Sequence, residues 1–259
     1  MSKLGVFITT NISERSKRPE NNPTIDDFFS KFKLSCEQHD INNSGVDTEY
    51  FIMDTGSKHP EYLSWVQTFI TKENWHFRQI PNIGCWLASM KYLMNTDQTL
   101  MDNFDLFLFQ IDDVVYPTKP KWALNILSRF TEITKPLAYG LTMKLKTGHP
   151  NNDDILLYSQ FNRDEVHIHG QYYFINHATL TGLKDIWYDS DNGRKKKAKI
   201  LYDAENTDLD TISDQERLNL SKVYIGREWD IASKLAIVAK NRCIASNALN
   251  DGLYYEEIN

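Results

Sequence analysis

Asp112 and Asp113 stand side by side directly after the longest apolar run of the chain, residues 104–111. Two carboxylates at the end of a buried strand repel each other and lose hydration, so they require a cation or hydrogen-bond donors. Mg²⁺ and Mn²⁺ meet that need: these hard ions take oxygen ligands and divide their coordination among one or two carboxylates, phosphate groups and water. A solvated turn or the start of a helix would also accommodate the pair. Asp54 has the same placement after an earlier apolar run, in Asp54-Thr55-Gly56-Ser57, where it could accept hydrogen bonds from a base or ribose or simply make a turn. Glu228 and Asp230 flank Trp229. A carboxylate held beside an aromatic face suits a general base with a platform on which a substrate stacks. His167 and His169 share one strand face by their two-residue spacing, and either could be the third ligand of a metal at the aspartate pair, with His169 as the choice.

The elements that must position these groups alternate between strand-like and helix-like patterns in the first half, as in an α/β fold. Strands are expected at 4–9, 49–54, 75–80 and 104–111, the last fully buried and central. Thr24 can cap a helix whose Ile25, Phe28, Phe29, Phe32 and Cys36 share a face. Pro60 can open a second helix that presents Leu63, Val66 and Ile70, and a third runs from the Pro81-Asn82-Ile83-Gly84 turn to about Met94. A helix over 117–130 follows the aspartates, which lie at the carboxyl end of their strand, where open α/β sheets bind ligands. Strands at 137–145, 155–161 and 171–176 give the second half an α+β character. Residues 182–214 read as a polar loop, 227–249 as a last helix and the tail after Asn250 as frayed.

With 259 residues the chain is long enough for one large domain, and no linker or repeat divides it, so a single domain over 1–259 is expected. Its composition is that of a globular protein, with 41% hydrophobic and 25% charged residues. The net charge of −6 does not favour nucleic acid or an anionic membrane as a general partner, unless through the basic run Arg194-Lys195-Lys196-Lys197 with Lys199. Cys36, Cys85 and Cys243 fit no zinc or disulfide framework and read as buried small side chains in a reducing compartment. The opening residues lack the long apolar region of a signal peptide, and no run approaches a transmembrane span, so the expected location is cytoplasmic.

Five segments together resemble the family 2 and related glycosyltransferases of the GT-A fold. Ile8-Thr9-Thr10-Asn11 is similar to the family's opening segment, and Ile52-Met53-Asp54-Thr55-Gly56-Ser57 to its V-V-D-D-G-S strand end. Ile80-Pro81-Asn82-Ile83-Gly84 with Ala88 is similar to N-x-G-x-x-x-A, and residues 106–117 to the strand that carries the metal-binding D-x-D. Residues 226–231, with Lys234, resemble the late G-E-D-W-D-L…R motif. Three positions depart from the pattern: Ile111 stands at the first aspartate of D-x-D, Arg227-Glu228 replaces Glu-Asp, and Lys234 replaces the arginine.

The resemblance spans residues 3–240 except for about 140–220, and it implies a Rossmann-type, mostly parallel mixed sheet with helices on both faces. It implies a nucleotide-binding half at about 1–135 and an acceptor-side half at about 136–259. Asp54 would contact the nucleotide base, Thr9 would line its pocket, and Asn82 would join the donor site. Asp112 and Asp113 would hold Mn²⁺ or Mg²⁺ and the donor's ribose or diphosphate. Glu228 would be the general base, with Asp230 beside it and Trp229 against the substrate. The implied reaction passes a sugar from a nucleoside diphosphate, UDP above all, to an acceptor hydroxyl with inversion. The acceptor could be a saccharide or, through the basic run 194–199, hydroxymethylated DNA of the phage type. A nucleotide-sugar-binding protein without turnover is the other alternative. A haloacid-dehalogenase-like phosphatase is excluded by register, since its nucleophilic aspartate would fall on Gln110.

Overall fold

β1 (Lys3–Thr10), β2 (Asp47–Asp54), β3 (Trp75–Gln79) and β4 (Leu106–Ile111) pair in parallel. Their side chains alternate between two cores, as the two-residue period of a strand requires. Leu4, Val6, Ile8, Tyr50, Ile52, Leu106 and Leu108 enter one cluster, and Phe7, Phe51, Met53, Phe107 and Phe109 the other. Burial on both faces explains why these runs are almost continuously apolar. The structure is a computed structural model that describes residues 2–13, 24–83, 87–112, 115–142 and 168–187. Beyond these it describes 207, 211–213, 215–216, 231, 234–235, 237–246 and 253–255.

α1 (Ile25–Ile41) and α2 (Tyr62–Phe69) cover the first face, joined there by α5 (Trp122–Leu127). α3 (Ala88–Asn95), α4 (Gln98–Asp102) and α6 (His177–Ile186) cover the second. The side switch follows from chain order. From β1 to β3 the chain steps outward on one side, then returns across to β4 on the other flank of β1, and right-handed crossovers then demand helices on opposite faces. α1 begins with a capping box: Thr24 Oγ1 accepts from Asp27 N, and the Asp27 carboxylate accepts from Thr24 N.

β6 (Ala138–Thr142), β7 (Ile168–Asn176) and β8 (Cys243–Ser246) complete a seven-stranded sheet in the order β3-β2-β1-β4-β7-β6-β8. β7 is antiparallel to both β4 and β6, so the sheet is mixed and mostly parallel with helices on both faces, as expected. β5 (Val115–Pro117) pairs with β9 (Leu253–Tyr255) in a separate ladder. Among the described residues no helix is long and apolar enough to cross a membrane.

Five expectations are corrected. The helix expected over 117–130 begins only at Trp122, because Pro117 ends β5 and Lys121 is left-handed at φ 60°. In α2, Val66 is buried and Ile70 packs against the core as expected, but Tyr62 and Phe69 take the other buried positions and Leu63 is exposed. The last helix stops before a 3₁₀ turn at Lys240–Arg242, after which Cys243 and Ile244 pair with β6 instead of continuing a helical stripe. The tail contributes β9, whose Leu253-Tyr254-Tyr255 has the aromatic make-up of a strand. The polar stretch expected from 182 begins within α6, and the strand expected at 155–161 lies outside the described residues.

Gly5 leaves room for the aromatic stack at the centre of the second face. A Cβ there would lie 2.5 Å from Phe7 Cε2 and 3.2 Å from Phe104 Cδ2. Phe7 cannot yield, since its ring is stacked on Phe51 at 4.8 Å and on Phe109 at 5.5 Å. Gly5→Ala is therefore expected to cost about 1–3 kcal/mol through overpacking, read as a lower urea midpoint with an unchanged slope.

Candidate functional site

All four parallel strands point their carboxyl ends to one edge, and the order of the chain reverses about β1, which has β2 on one flank and β4 on the other. The crevice outside the ends of β1 and β4 is the topological switch point, where α/β sheets bind ligands. Asp112, the first residue after β4, is buried there. Its Oδ2 accepts from Thr10 Oγ1 and from Asn11 N, both at 3.0 Å, so the carboxylate bridges the ends of β4 and β1. Asn11 Nδ2 in turn donates to Thr55 O and Thr55 Oγ1, both at 3.1 Å, which ties in the end of β2.

Asp54 reaches the same edge but faces its own loop. It is 1% exposed; its oxygens accept from Gly56 N at 3.2 Å, from Ser57 N at 3.1 Å and from Ser57 Oγ. Gly56 completes the turn at φ 102°, a conformation that disfavours any side chain. Ser57 Oγ also accepts from Ile12 N at 2.8 Å, so the loops after β1 and β2 are fastened together through Asp54. Asp54→Ala would strand these donors, and a loss of about 2–3 kcal/mol in unfolding free energy is expected by urea denaturation.

Thr9 is bonded through Oγ1 to Ser89 Oγ of α3 and so anchors that helix to β1. Asn82 is half-buried just past β3, where Ile80 N donates to Asp54 O at 2.8 Å and carries the chain over the edge. β7 runs antiparallel to β4 with Tyr172 opposite Gln110, so His169 lies in the part of β7 that extends toward the carboxyl end of β4. Lys234 donates to Trp187 O at 2.5 Å and caps the end of α6. Asp113, Glu228, Trp229, Asp230, Cys85 and the basic run 194–199 lie outside the described residues. Cys36 is buried, and burial holds its thiol well above the usual range.

Among the described residues no group of three or more His, Cys, Asp and Glu is gathered to hold a metal. Asp112 nevertheless carries the hard carboxylate oxygens that Mg²⁺ and Mn²⁺ take as ligands, at the end of β4 beside Thr10 and Asn11, with Asp113 next in the chain. Tyr62, fully buried nearby, stays neutral: burial above all, then the charge of Asp54, holds its phenol far above the ordinary range.

One buried polar chain was not anticipated. His39 Nε2 lies 2.9 Å from Gln110 Oε1, and Gln110 Nε2 donates to Ser35 Oγ at 3.2 Å, linking α1 to β4 two residues before Asp112. Burial lowers the His39 pKa to about 4, against the opposing effect of the Gln110 bond. The signal was available, since His39 continues the helical stripe of Phe32 and Cys36 and Gln110 is the lone amide in an apolar strand.

No family model matches the sequence, and no curated protein matches it. Among solved structures, the chain is similar to the galactosyltransferase LgtC in complex with donor and acceptor sugar analogs, with TM-score 0.44 and 11% identity over 94% of this chain and 73% of that one. Mouse xyloside xylosyltransferase 1 in its apo form gives TM-score 0.46 and 5% identity over 94% of this chain and 85% of that one. Residues 1–349 of S. aureus TarS give TM-score 0.38 and 15% identity over 78% of this chain, which spans 54% of that one.

Proposed function

We propose that the chain is a GT-A-like glycosyltransferase that moves a sugar from a nucleoside diphosphate, UDP above all, to an acceptor hydroxyl. The observation that carries this reading is the buried Asp112 carboxylate bridging β4 and β1 at the switch point, bonded to Thr10 and Asn11. Asp112 and Asp113 would hold Mn²⁺ or Mg²⁺, which when bound neutralises charge on the diphosphate. Asn82 serves the donor from the end of β3, and His169 is the candidate further ligand from β7. Residues 1–135 form the nucleotide side and residues 136–259 the acceptor side.

Glu228 takes the proton of the acceptor hydroxyl as its oxygen forms a bond to the anomeric carbon. The bond from that carbon to the donor phosphate breaks on the opposite face, its electron pair leaves with the diphosphate, and the configuration inverts. Trp229 supplies a stacking face for the sugar, with Asp230 beside the base. Asp54 contributes to this site by fixing the loop around it, since its oxygens are engaged by Gly56 and Ser57.

The test is release of UDP from a panel of UDP-sugars with Mn²⁺, using simple glycans and then hydroxymethylated DNA as acceptors. Acceptor-dependent, chelator-sensitive release is expected and identifies the acceptor. No release from any nucleotide sugar, with either acceptor class, would contradict the assignment.

A further inference from the structure

The loop after β2 is held by a side chain that the family pattern does not use. His59 is buried at 6% exposure, and its ring lies 4.4 Å from that of Phe29 on α1. Its Nδ1 accepts from Glu61 N at 3.2 Å. An atom that accepts a backbone N–H carries no proton, so the imidazole proton sits on Nε2, where it is donated to Asp26 Oδ1 at 2.8 Å. The same residue's backbone N donates to Ile12 O at 3.0 Å, beside Lys58 N at 2.9 Å. One residue thus joins the first turn of α1, the start of α2 and the loop that follows β1. That last loop contains Asn11, which bonds Asp112, and Ile12, which bonds Ser57.

We infer that His59 is a positioning residue for donor binding: as the neutral Nε2–H tautomer it clasps the loops after β1 and β2 to α1, and so sets the rim of the crevice beside Asp112. This rests on the proposed nucleotide-binding role of that crevice. The clasp acts on binding, because His59 contacts Asp26, Glu61 and Ile12 and so holds the loops beside Asp112.

The test uses the full chain as His59→Phe, Asp26→Ala and Asp26→Asn, with UDP and Mn²⁺ titrated calorimetrically and the ¹⁵N shifts of the wild-type His59 ring recorded. Phenylalanine keeps the ring against Phe29; Asp26 is 80% exposed, so its variants fold even where His59→Phe does not. The Kd for UDP is expected to rise on the order of 10-fold in His59→Phe and Asp26→Ala. Asp26→Asn is expected to stay near wild type, since an amide oxygen accepts the same Nε2–H. Turnover at saturating donor should change by less than about twofold, so the effect appears in KM. Wild-type affinity in both His59→Phe and Asp26→Ala overturns the inference. So does a loss in Asp26→Asn equal to that in Asp26→Ala, or a ring proton found on Nδ1. A wild-type protein that binds no nucleoside diphosphate fails the proposed function itself, and is recognised as such before any variant is compared.

Discussion

Glu228→Gln is expected to lower turnover by a factor on the order of 10² to 10⁴ while leaving the affinity for UDP within about twofold. The amide keeps the shape and hydrogen-bonding reach of the carboxylate but cannot take the acceptor proton. The loss corresponds to about 3–5 kcal/mol of transition-state stabilisation. Saturating kinetics and a UDP titration on the same preparation separate this outcome from misfolding, which would lower both. A variant with wild-type turnover would remove Glu228 from the mechanism. A variant that loses UDP affinity along with rate would make Glu228 a binding residue.

Acidification is expected to weaken the fold through His39. Its pKa is about 4 in the folded protein against 6.5 for the free side chain, and burial is the cause. Below pH 6.5 the unfolded chain takes up a proton that the folded one refuses, so stability falls as pH falls and levels off near pH 4. From pH 7 to 4.5 the loss is about 2–3 kcal/mol. The carboxylates held low, Asp27, Asp102, Glu132 and Glu216, start from ordinary values of 3.8 to 4.5 and add their losses mainly below that window. Replacing His39 with Gln should flatten the curve of unfolding free energy between pH 7 and 4.5 even if it lowers the curve throughout. An unchanged slope would mean that His39 is protonated in the folded state.

The parallel half of the fold was legible because its strands are buried on both faces. An apolar run such as Leu106-Phe107-Leu108-Phe109 has no other way to hide, and Thr24 with Asp27 marks the start of α1 without help from tertiary structure. The second half was less legible, since its pairing is non-local. β7 finds β4 across more than 60 residues of sequence, and β9 finds β5 across more than 130. Neither partner carries the pattern that would announce the other. At the site, sequence position placed Asp54 and Asp112 on the same edge, but not the hydrogen bonds their carboxylates make. That Asp54 spends its oxygens on Gly56 and Ser57 while Asp112 reaches across to Thr10 and Asn11 depends on loop geometry that spacing does not encode. Lys234 is a similar case: its charge was readable, but its use as a helix cap at Trp187 was not.

The most direct measurement is calorimetric titration of UDP into the wild-type protein and Asp112→Asn, with Mn²⁺ and then with chelator. Asparagine keeps an oxygen for Thr10 and Asn11 but loses the charge that a cation needs. The expected result is Mn²⁺-dependent binding in the wild type, with affinity reduced on the order of 10- to 100-fold by either the chelator or the substitution. Absence of UDP binding under both conditions, or binding that neither chelator nor Asp112→Asn affects, would contradict a metal and diphosphate site at the end of β4.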